Sequence, residues 1–347
     1  MSGELERRYR RVLRLLPRYY REQWEEDMVA AFLDSWLTGE PKADAYIRQA
    51  ARPSWAEVAS VAGLAVRLYL GGGSGAPRRY FAWGQAVRRA VLAVMLMHAV
   101  LGLDLLVQVA WSRRLLGLPA PPTSLLIAWP GGVWPAALGV ADCAWIAIFV
   151  TLALGQYRAA RVLAVLAIVL SLVVLLQNQL TGIVRAPFGS WAGWILLDLA
   201  PVLALAAFQS GAPLAARRPW LLALPAGYLL VFGPMLALQA TGNLAWLPDL
   251  PGLCCIAVAL ACLAHAPRAR SSQAADSGVW SLALTLLAAV AGVYRIVWLT
   301  RYLHDPHMLK VSLAELLVLV AAAALVAPDA ARARAATAPP PLTPRPE

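Results

Sequence analysis

The stretch from Arg88 to Trp111, RRAVLAVMLMHAVLGLDLLVQVAW, limits the fold more than any other part of the chain. It is apolar over about the 20 residues that a helix needs to cross a hydrocarbon core of about 30 Å. In lipid its backbone polar groups can be satisfied within the segment only as a helix. Everything before it reads as a charged helical module in water, and everything after it as membrane. Two of its residues, His98 and Asp104, are ones that a lipid-facing helix should not carry.

Further apolar runs come after it. The expected fold is all-α, a polytopic membrane protein with about eight transmembrane helices preceded by a small cytosolic helical module. The spans fall near 90–111, 133–155, 161–178, 191–209, 219–240, 250–266, 279–299 and 311–328. Composition agrees: mean hydropathy is +0.62 and only 14% of residues are charged, against about a quarter in soluble domains. Expected boundaries are 1–76 for the module and its linker, 77–328 for the membrane domain, and 329–347 for a disordered tail. The N-terminus, MSGELERRYRR, has no apolar leader, so the first span itself is expected to direct insertion.

The formal charge of +11 does not imply nucleic acid. Residues 1–80 are near balance, and the excess sits in arginines at the ends of apolar runs, where it sets topology. With the N-terminus inside, the cytoplasmic side gains Arg78, Arg79, Arg88, Arg89, Arg158, Arg161, Arg217, Arg218, Arg268, Arg270, Arg332 and Arg334. The outer side holds Arg113, Arg114, Arg185, Arg301 and Lys310. Both termini are therefore expected in the cytoplasm of a plasma-membrane protein. Trp83, Trp220 and Trp280 fall near the inner interface, and Trp111, Trp129, Trp134, Trp191, Trp246 and Trp298 near the outer one. The outer loop Leu118–Pro135 has an apolar centre between prolines, a composition suited to dipping into the interface.

In the module, Leu5, Tyr9, Val12, Leu13 and Leu16 share one helical face, and Tyr20, Trp24, Met28, Phe32 and Trp36 continue it after a break at Pro17. Ser54-Trp55-Ala56-Glu57 is a capping box that opens a further helix, with Val58, Val61, Ala65 and Leu68 inward. Arginines from Arg7 to Arg21 precede acids from Glu22 to Asp27, which predicts i,i+4 pairs such as Arg18–Glu22 and Arg21–Glu25. The arginine-rich face is also suited to anionic lipid. The Gly71–Pro77 linker lacks the Gly-Lys-Ser/Thr ending of a phosphate-binding loop.

The run YRRVLRLLPRYYREQWEEDMVAAFLDSW resembles the short helical permease prefix module found ahead of permease-like membrane domains in actinobacteria. The segments RPSWAEVASVAGLAVRLYLGG and FAWGQAVRRA resemble multi-pass proteins of the same kind of organism. A weaker similarity links the module to cytosolic domains of anti-sigma-like regulators. The resemblance implies a transport component served by a separate ATPase, since the chain itself has no Walker motif. The regulator similarity implies instead a membrane anchor that binds a transcription or sigma factor through the module. The expected partners are the lipid bilayer and one such cytosolic protein.

Ionisable groups at membrane depth cost about 2.5–3.5 kcal/mol each and mark function by default. Here they are Asp104, Asp142, Asp198, Arg295 and Glu315, with His98 beside them. Four of the five fall in the outer half of their spans and Asp142 near the midplane, which suggests one outward-facing polar cavity with Arg295 paired to a carboxylate. The alternative is that each merely hydrogen-bonds a neighbouring helix, and His98 reads as a packing histidine. Pro225, Gly227, Gly233 and Pro234 make the span 219–240 either a discontinuous helix of the kind that binds substrate or a kinked one. Pro201, three residues past Asp198, makes a smaller version of the same break.

The loop His304-Asp305-Pro306-His307 reads as solvated rather than metal-binding. Cys143, Cys254, Cys255 and Cys262 fit no zinc spacing and read as small hydrophobes. No nucleophile elbow or HExxH is present, so no catalytic residue, cofactor or metal is expected and the chain does not read as an enzyme.

Overall fold

The break expected at Pro17 is real. In a computed structural model of the protein, which describes residues 4–37, 39–71, 77–115, 133–180, 191, 198–208, 217–240, 249–271, 275–299 and 303–335, all regular structure among the described residues is helical. The chain divides into two units, Met1–Gln85 with the end of the last helix from Arg334, and Ala86–Ala333.

The first unit begins with α1 (Glu4–Leu13), α2 (Arg18–Trp36), α3 (Pro41–Ala50) and α4 (Trp55–Gly71). Leu13 and Val12 carbonyls accept from Leu16 and Leu15 in a tightened last turn, and Pro17, at φ −55°, then caps α2. Leu5, Tyr9, Leu13 and Leu16 are buried against Val29, Phe32, Val61 and Ala65, and the Tyr9 and Phe32 rings stack at 3.9 Å. Trp24 departs from the expected face and is 43% exposed. Tyr20 and Met28, one step to either side of it, pack against this core, as does Trp36.

The capping box forms as expected: the Ser54 backbone N–H donates to Glu57 Oε2 at 2.6 Å, and the Glu57 N–H to Ser54 Oγ at 3.2 Å. Glu57 has a second task, accepting the Trp36 indole N–H at 2.9 Å and so tying α4 to the end of α2. The expected pairs Arg18–Glu22 and Arg21–Glu25 form at 2.7 and 3.9 Å. Arg10 reaches across to bind Glu26 with both guanidinium nitrogens, at 2.7 and 2.8 Å. Such exposed pairs contribute at most about 1 kcal/mol each, so the apolar seam holds the unit together.

Helix α5 (Arg78–Ser112) carries the chain into the second unit, followed by α6 (Val133–Ala153) and α7 (Tyr157–Leu180). The short α8 (Ala200–Ala204) continues as a 3-10 turn over Leu205–Ala207. Then come α9 (Arg217–Ala240), α10 (Leu250–Ser271), α11 (Ala275–Leu299) and α12 (Pro306–Ala335). Among the described residues, five helices are long and apolar enough to cross a membrane: Tyr80–Ser112, Tyr157–Gln177, Leu250–Arg268, Ser277–Leu299 and Pro306–Arg334. A shorter apolar helix covers Gly139–Ala153. Val162, Val165, Leu166, Val169, Leu172, Val173 and Leu176 stand exposed along α7, a stripe suited to hydrocarbon rather than water. This is a membrane protein. Residues 192–197 and 209 of the expected span 191–209, the loop Leu118–Pro135 up to residue 132, the linker 72–76 and residues 336–347 lie outside the described residues.

Close packing in this unit relies on small residues, as lipid supplies no hydrophobic drive between helices. Cys255, Ala259, Cys262 and Ala266 line one face of α10 against Ala288 and Ala291 of α11 and Ala322 of α12. The cysteines thus pack as small hydrophobes. Gly102 of α5 lies against the Asp142 carbonyl of α6, where an added Cβ would sit 2.5 Å from that oxygen. The α6–α7 turn uses Gly155 at φ 82°, with the Gln156 N–H donating to Thr151 O at 2.8 Å.

Helix α9 runs unbroken through Pro225 and Pro234, so of the two readings of this span the structure shows a continuous helix. Helix α12 also passes through a proline, Pro328, and ends at Ala335 rather than at 328, with Asp329 and Arg332 paired at 2.5 Å. Pro201 sits in the first turn of α8, just after the π-helical residues Asp198 and Leu199. At the far end of that segment, Arg88 donates to Ala207 O at 3.2 Å and Arg161 to the carbonyls of Leu205 and Phe208, cations closing a helix C-terminus. Arg89 lies 4.8 Å over the Trp280 ring, which stacks with Trp220.

Partial burial pushes the Glu57 carboxyl up, but the Trp36 indole and the Ser54 backbone and side chain outweigh it and hold its pKa below the ordinary 4.5. A carboxylate with a depressed folded pKa stabilises the fold above its unfolded value and loses that contribution as pH falls through the folded one. Hydrogen exchange of the full-length protein in detergent should therefore show α2 and α4 losing protection as pH drops below about 4.5. Glu57→Gln should flatten that dependence; an unchanged pH profile in the variant refutes the assignment.

Candidate intramembrane charge sites

Arg295 is the largest fully buried side chain among the described residues, 0% exposed near the end of α11. A guanidinium stays charged at any accessible pH, so it persists there only if acceptors surround it. Two carboxylates do. Arg295 Nη1 donates to both oxygens of Asp249, at 2.7 and 2.6 Å, and Nη2 lies 2.5 Å from Glu315 Oε2. Asp249 is held in turn as the cap of α10, its Oδ1 accepting the Gly252 N–H at 3.0 Å. Gly252 leaves the room that the cluster fills: a Cβ there would lie 2.5 Å from Glu315 Oε1 and 2.9 Å from Asp249 Oδ1. Three helices, α10, α11 and α12, each contribute one charge.

Of these, Glu315 and Arg295 are expected from the sequence, and the structure brings them together. Asp249 is a partner that the sequence reading misses. Its signal is present all the same: an acid immediately before a helical run with proline at the second position is a helix start. Read as loop, it draws no attention as a charge partner.

The remaining acids gather around α5. His98 Nε2 lies 3.7 Å from Asp198 Oδ1, and its ring stacks on Trp145 of α6 at 4.6 Å. His98 thus packs as expected, and the π-helical turn before α8 also brings Asp198 near it. Asp142 of α6 is exposed and acts electrostatically on Asp198. Asp104 is 8% exposed and accepts the Gln108 side-chain N–H at 2.5 Å, an i,i+4 pair that spacing alone could have found. Its other oxygen, Oδ1, is buried with no hydrogen-bond partner among the described residues, as is the hydroxyl of Tyr228 on α9. Of the five expected residues, Arg295 and Glu315 meet each other, Asp198 lies near His98 with Asp142 as its electrostatic neighbour, and Asp104 binds Gln108 of its own helix.

The His304–His307 loop has a structural role. Asp305 Oδ1 accepts the backbone N–H groups of His307 and Met308 at 3.0 and 3.1 Å and caps α12, with Pro306 at its first position. Among the described residues, no group of His, Cys, Asp and Glu could hold a metal ion.

No family model, curated protein or solved structure matches the chain.

Removing the guanidinium leaves two carboxylates facing each other in an apolar setting, at a cost of about 3–5 kcal/mol. Arg295→Met should sharply lower the thermal denaturation temperature of the detergent-purified protein. Arg295→Met combined with Asp249→Asn and Glu315→Gln should recover most of the loss. A single variant as stable as wild type would show that the cluster holds nothing together.

Proposed function

We propose that the chain is a permease-like transport component of the plasma membrane. In this reading it spans the bilayer eight times, with both termini in the cytoplasm and residues 1–76 as a docking or regulatory module. One observation carries it: acids and an arginine lie between apolar helices, most of them paired across helices rather than turned to the ends. A pathway for a polar solute needs such groups despite an insertion cost of about 2.5–3.5 kcal/mol each. The cytosolic partner in this reading is an ATPase.

A second observation favours a different class. The N-terminal unit carries a groove of about 470 Å³ whose lining includes Glu4, Arg8, Arg11, Arg52, Val12 and Val58. Three arginines beside apolar side chains suit an acidic segment of a protein partner. That is the surface a membrane-anchored regulator would use to hold a transcription or sigma factor.

Mass spectrometry of the medium of cells with and without the protein tests the first reading. Wild type should change the level of at least one solute, and Asp142→Asn should not, at equal amounts in the membrane. Identical solute profiles with and without the protein would sink the transport reading. For the second, cross-linking of the full-length protein in native membranes should recover a transcription or sigma factor, and Arg11→Glu with Arg52→Glu should lose it. Recovery of an ATPase instead returns the module to the transport reading.

A further inference from the structure

Helix α4 carries two apolar stripes at helical spacing, and the N-terminal unit uses one of them. Val61 and Ala65 are buried in its core, with Leu64 and Leu68 packed against them. The other stripe runs through Trp55, Ala59, Ala62, Val66, Tyr69 and Leu70. That spacing keeps to one side of a helix, over a length of about 20 Å. Trp55 is 88% exposed, Tyr69 46% and Val66 44%; Ala59 is exposed, and Ala62 and Leu70 are half-buried. A helix that is apolar on both sides belongs between two apolar surroundings. Among the described residues, α4 has only one.

The charges around the open stripe have one sign. Glu57 is the only acid of α4, and it is engaged by Trp36 and Ser54. Arg52, just ahead of the helix, is exposed and also lines the groove with Arg8 and Arg11. Arg67 is exposed beside the stripe, where it donates to Gly63 O at 3.3 Å. Neither Arg52 nor Arg67 forms an ion pair among the described residues. The arginine-rich face of α1 and α2 is a poorer candidate for an anionic partner. Arg7, Arg8, Arg10, Arg18 and Arg21 are already paired with acids of the unit itself.

We propose that α4 lies along the membrane surface, with Trp55, Val66 and Tyr69 among the headgroups and Arg52 and Arg67 on anionic lipid phosphates. Tryptophan and tyrosine rings, apolar with one polar edge, settle at headgroup depth, and flanking arginines add attraction to anionic lipid. Connectivity points the same way. A spanning helix begins at Tyr80, and the chain from Gly71 to Pro77 can extend at most about 22 Å. The apolar stripe is thereby held close to a bilayer. Such docking depends on neither the transport nor the regulator reading of the chain.

Photolabelling of the full-length protein in lipid vesicles tests the proposal. The vesicles are phosphatidylcholine with or without phosphatidylserine, doped with a lipid that carries a diazirine near the top of its acyl chain. Mass spectrometry should find residues 55–70 labelled when phosphatidylserine is present, and several-fold less without it or at high salt. Arg52→Glu with Arg67→Glu should lower that labelling several-fold. Labelling of the exposed α7 stripe from Val162 to Leu176 should stay the same, which reports that the variant is inserted and folded. An unlabelled α4 overturns the proposal, as does labelling that ignores both phosphatidylserine and the charge reversal. If α4 stays unlabelled while the protein is a dimer that Trp55→Ser dissociates, the stripe is a contact between two copies and the proposal fails.

Discussion

A charge among apolar helices can be satisfied only by another group of the same protein, and Arg295 is the clearest instance. Its guanidinium binds Asp249 with one nitrogen and faces Glu315 with another, so the ends of α10, α11 and α12 cannot slide or rotate freely without breaking an ion pair. In lipid, apolar contacts between helices are little better than contacts with acyl chains. The register of three spans therefore depends on a few charged atoms, with small residues such as Ala259, Cys262, Ala288 and Ala322 letting the backbones come close enough.

Glycine does comparable work where charge meets backbone. Gly252 makes room for both carboxylates of the Arg295 cluster, and Gly102 lets α5 approach the carbonyl of Asp142. The second contact sets α5 and α6 side by side, with His98 of one stacked on Trp145 of the other. The position of His98 against Asp198 is then a matter of helix packing rather than of chance.

Much of the first unit is legible in the sequence. The Ser54–Glu57 capping box, the break at Pro17 and the pairs Arg18–Glu22 and Arg21–Glu25 are local features, fixed by residues within four positions of each other, and they form as the spacing predicts. The cross-helix roles are not legible. Arg10 to Glu26, Trp36 to Glu57, and Arg88 and Arg161 to the carbonyls after α8 join residues whose separation along the chain says nothing about their contact. Trp24 reads as inward because it shares the spacing of Tyr20, Met28, Phe32 and Trp36, yet it alone of the five stands exposed.

Sequence by itself determined that this chain enters a membrane and that it begins with a charged helical module. Hydropathy and charge position are properties of single residues and short runs, and lipid acts on them directly. Which charges meet was decided only by the tertiary structure. Arg295 could have paired with any acid in its half of the membrane; packing gave it Asp249 and Glu315 and left Asp104 to Gln108 of its own helix. Pairing between helices depends on their rotation and depth, and no local pattern in the sequence encodes either.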